Sequence, residues 1–195
     1  MSIRCRHEQI RQRRETQMKK ILLISASPRK GGNSDLLCDE FARGARDAGN
    51  EAEKVFLRDK KVGYCHGCNV CQSTVPCVQE DDAAQILEKM VAADTLVFAT
   101  PVYFYAMDGQ LKTLIDRSVA RFREMSGKNI YIIVSAALSD RDNIMRAVDS
   151  IRGFTKLCLT DAREKGVVLA TDVWAAGDVR AKPQMGEAYE MGRSV

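Results

Sequence analysis

Ile21-Leu22-Leu23-Ile24-Ser25-Ala26-Ser27-Pro28-Arg29-Lys30-Gly31-Gly32-Asn33-Ser34 is the stretch on which the reading of this chain turns. Its first four residues are uninterrupted and apolar, as in a strand buried on both faces of a parallel sheet. The turn-rich segment after them runs directly into a helix. Leu37, Phe41, Ala45 and Ala48 form that helix's apolar stripe, and Gly49-Asn50 stop it.

The alternation continues outward from there. Residues 51–56 make a weaker strand, whose Glu51, Glu53 and Lys54 place it at a sheet edge. A long loop from Leu57 to Asp82 follows, then a helix that Asp81 or Asp82 caps, with Ile86, Leu87, Met90 and Val91 on one face. Thr95–Ala99 is the third strand. Leu111, Leu114, Ile115, Val119 and Phe122 line a third helix that closes near Gly127. Ile130–Val134 is the fourth strand, Asp140 to Leu159 a helix weakened at Gly153, Val167–Ala170 the fifth strand, and a short helix lies near Met185–Met191. Strand and helix alternate without repeat or linker, which predicts an α/β doubly wound five-stranded parallel sheet with helices on both faces. In such sheets ligands bind beyond the carboxyl ends of the strands, at the switch point, which selects the loops at 25–34 and 100–108.

Composition limits the alternatives. The chain has 195 residues, 45% hydrophobic and 29% charged, which suits one globular domain and excludes disorder. No apolar run approaches the roughly 20 residues of a membrane span, and there is no signal-peptide core, so the expected location is cytoplasmic. Seven of the first twenty residues are Lys or Arg against two Glu, a local +5 that leaves −1 for residues 21–195. The body at 18–195 is almost neutral, and no nucleic-acid partner is expected for it. Residues 1–17 read as a basic extension ahead of a start at Met18, with an RNA-binding tail or an organelle presequence as the alternatives.

The first loop lacks both the Gly-x-Gly-x-x-Gly fingerprint and a Walker Gly-Lys-Ser/Thr. It offers hydroxyls, glycines and Asn before a helix N-terminus, which suits a terminal phosphate. Ser27, Gly32, Asn33 and Ser34 supply hydrogen bonds or close backbone approach, and Arg29 supplies charge. The plainer reading is that Ser34 caps the helix and the glycines only turn the chain. In the other loop, Pro101-Val102-Tyr103-Phe104-Tyr105 sets three aromatics in a row, which cannot all point inward and which suit stacking on a planar heterocycle.

Seven cysteines are present, and Cys65, Cys68, Cys71 and Cys77 fall within an insertion at 63–80. The odd total and the missing secretory signal argue against a disulfide framework. Cys38 and Cys158 read as small core residues on apolar helix faces. The clustered four, with Gly63, Gly67 and Pro76 permitting a tight wrap, leave three options open. Their compact spacing is ferredoxin-like and suits a 4Fe–4S cluster. Zinc more often takes two separated pairs. Bare redox-active or structural thiols are the third option. His66 reads as a solvent-facing loop residue, and Asp116 and Arg117 as a structural ion pair.

Ser-x-Ser-Pro-Arg-x-x-Gly-Asn-Ser, Pro-Val-Tyr-Phe and Gly-x-Leu-Lys-x-x-Ile-Asp-Arg at 109–117 together resemble the flavodoxin-fold NADPH-dependent FMN reductases. The cysteine spacing is similar to that of their iron–sulfur flavoprotein branch. The resemblance spans residues 18–192 and implies a flavodoxin-like sheet that binds FMN. It places the FMN phosphate at Ser27–Ser34 and the isoalloxazine along Pro101, Val102, Tyr103 and Phe104. Ser135 and Ala136, in a loop that departs from the family's Gly-rich version, provide further contacts. It also implies NAD(P)H as donor, a small-molecule or protein electron acceptor, and a homodimer or homotetramer. The flavin carries the chemistry, so no side chain is named as general acid or base. Two other functions stand beside this one: an iron–sulfur flavoprotein carrying electrons between ferredoxin-like partners, and a zinc-stabilised, non-catalytic binding module.

Overall fold

The computed structural model describes residues 18–73 and 77–195; the basic arm at 1–17 and Pro76 lie outside the described residues. The elements run β1 (Lys20–Ser25), α1 (Asn33–Asp47), β2 (Glu51–Phe56), α2 (Ala83–Ala92), β3 (Thr95–Tyr103), β4 (Ala106–Met107), α3 (Gly109–Arg117), β5 (Asn129–Ser135), α4 (Arg141–Thr155), β6 (Arg163–Ala170) and α5 (Gln184–Arg193). The five long strands are parallel and ordered β2-β1-β3-β5-β6, while β4 pairs antiparallel with the end of β3. This is the flavodoxin-like doubly wound order, in which the winding reverses between β1 and β3. The weaker strand, β2, is at the edge as its charges predict.

The continuous apolar runs are explained by burial on both faces. Leu22, Ile24, Leu96, Phe98, Ile130 and Ile132 point to one side, where they pack with residues of α2, α3 and α4. Their neighbours Ile21, Leu23, Val97, Ala99, Tyr131 and Ile133 point to the other, where they meet α1 and α5. Each fully buried Leu or Ile contributes about 1.5–3 kcal/mol.

The helix boundaries correct several expectations. Ala48 is an exposed C-cap and not part of the α1 stripe. The third helix stops at Arg117, because the Ser118 hydroxyl donates to the Ile115 carbonyl at 2.6 Å and competes with the helical bond. Val119 and Phe122 therefore lie in 3₁₀ turns, not on a helix face. With α4 ending at Thr155, Cys158 is exposed and not a core residue, whereas Cys38 is fully buried and its thiol pKa is pushed far up by burial.

Helix α5 lies so close to α1 that two glycines are obligatory. A Cβ on Gly44 would come within 2.0 Å of the Tyr189 carbonyl oxygen, and one on Gly192 within 2.1 Å of that of Phe41. By contrast, a Cβ on Gly153, inside α4, meets nothing within 4 Å. Equilibrium urea unfolding of single variants is expected to show opposite signs. Gly192→Ala should lose about 1–3 kcal/mol through overpacking, and Gly153→Ala should gain about 0.5–1 kcal/mol of helix stability.

Candidate functional site

The loops after β1, β3 and β5 meet at one edge of the sheet, with Pro101 in register with Ser135 and Ser135 with Ala170. The first loop is shaped by its own polar groups. The Ser27 hydroxyl donates to the Arg29 carbonyl at 2.7 Å and accepts from the Arg29 N–H at 3.2 Å, and the Gly32 N–H donates to the same carbonyl at 2.9 Å. A Cβ on Gly32 would meet Ser27 Oγ at 2.5 Å, so the turn admits only glycine there. Asp35, one of the residues that the sequence reading passed over, completes the shape from within the helix. Its Oδ2 accepts from Gly31 N–H at 3.0 Å, and its Oδ1 accepts from Ser25 Oγ at 2.8 Å and from Lys54 Nζ at 3.0 Å.

Asn33 does a different job from the one the motif suggests. Its amide nitrogen donates to the carbonyls of Val173 (3.3 Å) and Ala175 (2.9 Å), and its Oδ1 accepts from the N–H groups of Gly177 (3.1 Å) and Val179 (3.2 Å). Both its donors and both its lone pairs are occupied, so the side chain fixes the C-terminal loop and has no donor left for a phosphate. Arg29 is exposed and directs its guanidinium at the Trp174 carbonyl, at 3.3 and 3.4 Å. Ser34, in the first turn of α1, is 1% exposed, and its hydroxyl has no partner among the described residues. No side chain caps α1, so its first N–H groups add to this unmet donor set.

The second loop is a two-residue hairpin. Tyr103 pairs with Ala106 across Phe104 and Tyr105, whose φ values are 49° and 61°. That is the type I′ pattern, which favours Asn-Gly, so each aromatic here carries backbone strain of about 1–3 kcal/mol. The third strand runs past its expected end at Ala99 to Tyr103 and carries the aromatics out from the sheet. Phe104 is 102% exposed, and Tyr103 and Tyr105 are exposed beside it. Pro101 is buried and Val102 half-buried. Ser135 and Ala136 are buried, with Ala136 held by Ala170 O and Val173 N.

At the hairpin's base sits a second acid absent from the sequence reading. Asp108 N-caps α3 through Leu111 N–H at 3.0 Å, and its own N–H donates to Thr100 Oγ1 at 3.0 Å. It is buried, its Oδ2 has no partner among the described residues, and burial pushes its pKa up to about 6.

The cysteine segment folds over the far end of α3. Cys65, Cys68, Cys71 and Cys77 all line one cavity of about 800 Å³, with Cys158 and the apolar side chains of Met107, Ile115, Phe122 and Phe154 on its other walls. Among the described residues, no three His, Cys, Asp or Glu side chains converge closely enough to hold a metal ion. Burial and the neighbouring thiols raise the Cys71 pKa. His66 is exposed and lies edge-on to Tyr64. Asp116 and Arg117 do not pair with each other: Lys112 takes Asp116 at 2.6 Å, and Arg117 takes Asp81 at 2.5 Å. Asp82, one of the two expected caps, makes no side-chain cap bond to α2 and instead accepts from Lys61 N–H, while Asp81 accepts from Ala83 N–H.

Comparison with known proteins gives this geometry a context. Residues 19–158 match the family described as NADPH-dependent FMN reductase. The iron–sulfur flavoprotein MJ1083 of Methanocaldococcus jannaschii is 42% identical over 99 residues, 51% of each chain. The iron–sulfur flavoprotein of Methanosarcina thermophila is 41% identical over 121 residues, 62% of each. The chain thus spans about half of the first of these relatives and under two thirds of the second. Among solved structures, an NAD(P)H:quinone oxidoreductase from Methanothermobacter marburgensis superposes with a TM-score of 0.72 at 17% identity, covering 91% of this chain and 97% of the other, which establishes the shared fold. No helix among the described residues is long and apolar enough to cross a membrane.

Two outcomes follow from the strained and the buried groups. Replacing Phe104-Tyr105 with Asn-Gly should raise the unfolding free energy by about 1 kcal/mol or more, read from the urea midpoint. Because the folded pKa of Asp108 lies above its unfolded value, the native state binds the extra proton, and Asp108 costs stability as pH rises through about 4 to 6. Asp108→Asn keeps the cap acceptor, so its stability relative to the parent should grow across that window by up to roughly 3 kcal/mol in paired unfolding titrations.

Proposed function

The chain belongs to the NADPH-dependent FMN reductase family, and from that premise we propose that it binds FMN at the β1–β3–β5 edge, takes reducing equivalents from NAD(P)H and passes them to an acceptor. The carrying observation is the buried Ser34 hydroxyl at the uncapped start of α1, which has no hydrogen-bond partner among the described residues. A dianionic phosphate fits there, where the helix N-terminus favours negative charge. We read the exposed aromatic end of β3, at the same sheet edge as that loop, as the surface that lies along the flat ring. FMN, when bound, supplies the redox chemistry; the chain supplies position, a stacking surface and exclusion of water. Membership in a reductase family sets aside the non-catalytic zinc module. A neighbouring copy in a homodimer or homotetramer is read as covering the exposed hairpin tip.

A second reading builds on the first. All four loop cysteines face one cavity, and thiolates are the donors that iron–sulfur clusters take. The relatives named iron–sulfur flavoproteins support extending that assignment here. In this reading Cys65, Cys68, Cys71 and Cys77 close on a 4Fe–4S cluster, and the acceptor is a protein electron carrier.

Ser34→Ala should weaken FMN by about tenfold or more, the value of a charge-assisted bond, and leave riboflavin unchanged in fluorescence titrations. Equal affinity of the unsubstituted protein for FMN and riboflavin would overturn the phosphate assignment. Iron and acid-labile sulfide per chain, measured after anaerobic purification, test the second reading. A flavin-replete protein that lacks both and cannot be reconstituted is a plain FMN reductase.

A further inference from the structure

We propose that Arg117 is the positioning residue of the cysteine loop, holding both of its feet and donating directly to the Cys77 sulfur. The side chain is 1% exposed and the largest fully buried one among the described residues. Its guanidinium reaches across the mouth of the loop. Nη1 donates to Gly63 O at 2.9 Å, to Asp81 Oδ2 at 2.5 Å and to Gln79 Oε1 at 3.3 Å. Nη2 donates to Asp81 Oδ1 at 3.1 Å and to Cys77 Sγ at 3.6 Å. Gly63 precedes the first cysteine, and Gln79 and Asp81 follow the last, so one cation ties the incoming strand to the outgoing one.

Other bonds converge on the same mouth. At the mouth, Gly63 N–H donates to Asp81 Oδ2, and Gln79 Nε2 donates to Tyr64 O. Further into the loop, Gly67 N–H donates to Cys65 Sγ, Gln72 N–H to Asn69 O and Ser73 N–H to Val70 O. The packing is tight, for a Cβ on Gly63 would lie 3.1 Å from Gln79 Oε1 and 3.5 Å from Asp81 Oδ2. Asp81, which burial alone would raise, is held below the ordinary carboxylate range by Arg117, so the ion pair is fully charged at neutral pH. Meanwhile Arg117 Nε is buried with no partner among the described residues. A side chain that served only the core would not leave that group unmet while directing a terminal nitrogen at sulfur.

The second half of the proposal rests on the iron–sulfur reading: when the thiolates hold a cluster, the Nη2 bond to Cys77 raises its reduction potential, since hydrogen bonds to ligand sulfurs stabilise the more negative, reduced form. Lysine keeps the charge but loses the planar fork, so it cannot serve Asp81, Gly63 and Cys77 together. The test compares the full chain with Arg117→Lys. In iron-free protein, amide exchange at 61–73 and 77–82 should be about tenfold faster or more in Arg117→Lys, with exchange in α1 and FMN affinity unchanged. Unchanged exchange in the loop overturns the proposal, as does an equal acceleration throughout the chain, which would mean a merely structural role. In protein reconstituted with iron and sulfide, the midpoint potential should fall in Arg117→Lys, and an unmoved potential overturns the sulfur bond. If the unsubstituted protein takes up no iron, the cluster reading fails by itself, and the exchange comparison still decides whether Arg117 holds the loop.

Discussion

Asn33 makes all four hydrogen bonds of which an amide is capable, and every one goes to backbone 140 or more residues away. Such a buried group cannot be half satisfied without cost, since a lost partner leaves a desolvated donor or acceptor. The bond set therefore fixes the loop after β1 and the segment after β6 as one unit. Helix α5 follows from that segment and lands on α1, where Gly44 and Gly192 let the two backbones touch. Arg29 reaches the same segment at Trp174. The start of α1 is rigid because the end of the chain is bound to it, and rigidity at that point is what a preformed phosphate cradle requires.

Much of this was legible in the sequence because burial on two faces leaves a direct trace. The runs at 21–24 and 130–134 have no polar member, and the edge strand betrays itself by Glu51, Glu53 and Lys54. The two ligand loops follow from topology before any side chain is considered. What escaped the reading is long-range pairing. Nothing local distinguishes an Asn that meets a phosphate from one that grips residues 173–179, and nothing in an Asp-Arg pair at a helix end reveals that each turns to a different partner. The type I′ turn at Phe104-Tyr105 was hidden for another reason: its residues contradict the turn they make. Cys158 misled because periodicity continued past the point where α4 stops.

Several of the strained and unmet groups share one stretch of the molecule. The left-handed aromatics, the free Ser34 hydroxyl, the unpartnered Asp108 Oδ2 and the Arg117 Nε all lie along the path from the first loop through the hairpin to the cysteine segment. Others lie off it: Thr95 Oγ1 is buried at the opposite end of β3 with no partner among the described residues, and Asp161 and Asp172 also have positive φ. Those that do cluster lie where a ligand would be needed to finish them, a frequent mark of functional sites.

Helix α3 spans the interval between the two parts of that path. Asp108 anchors one end to the hairpin, and nine residues later Arg117 enters the loop mouth. An α-helix advances about 1.5 Å and turns about 100° per residue. One inserted or deleted residue would thus swing the guanidinium roughly a quarter-turn away from Gly63, Asp81 and Cys77. The length of this helix is consequently a fixed gauge between hairpin and thiols. Over evolutionary time it should resist insertions and deletions that the exposed tip of the cysteine loop can absorb.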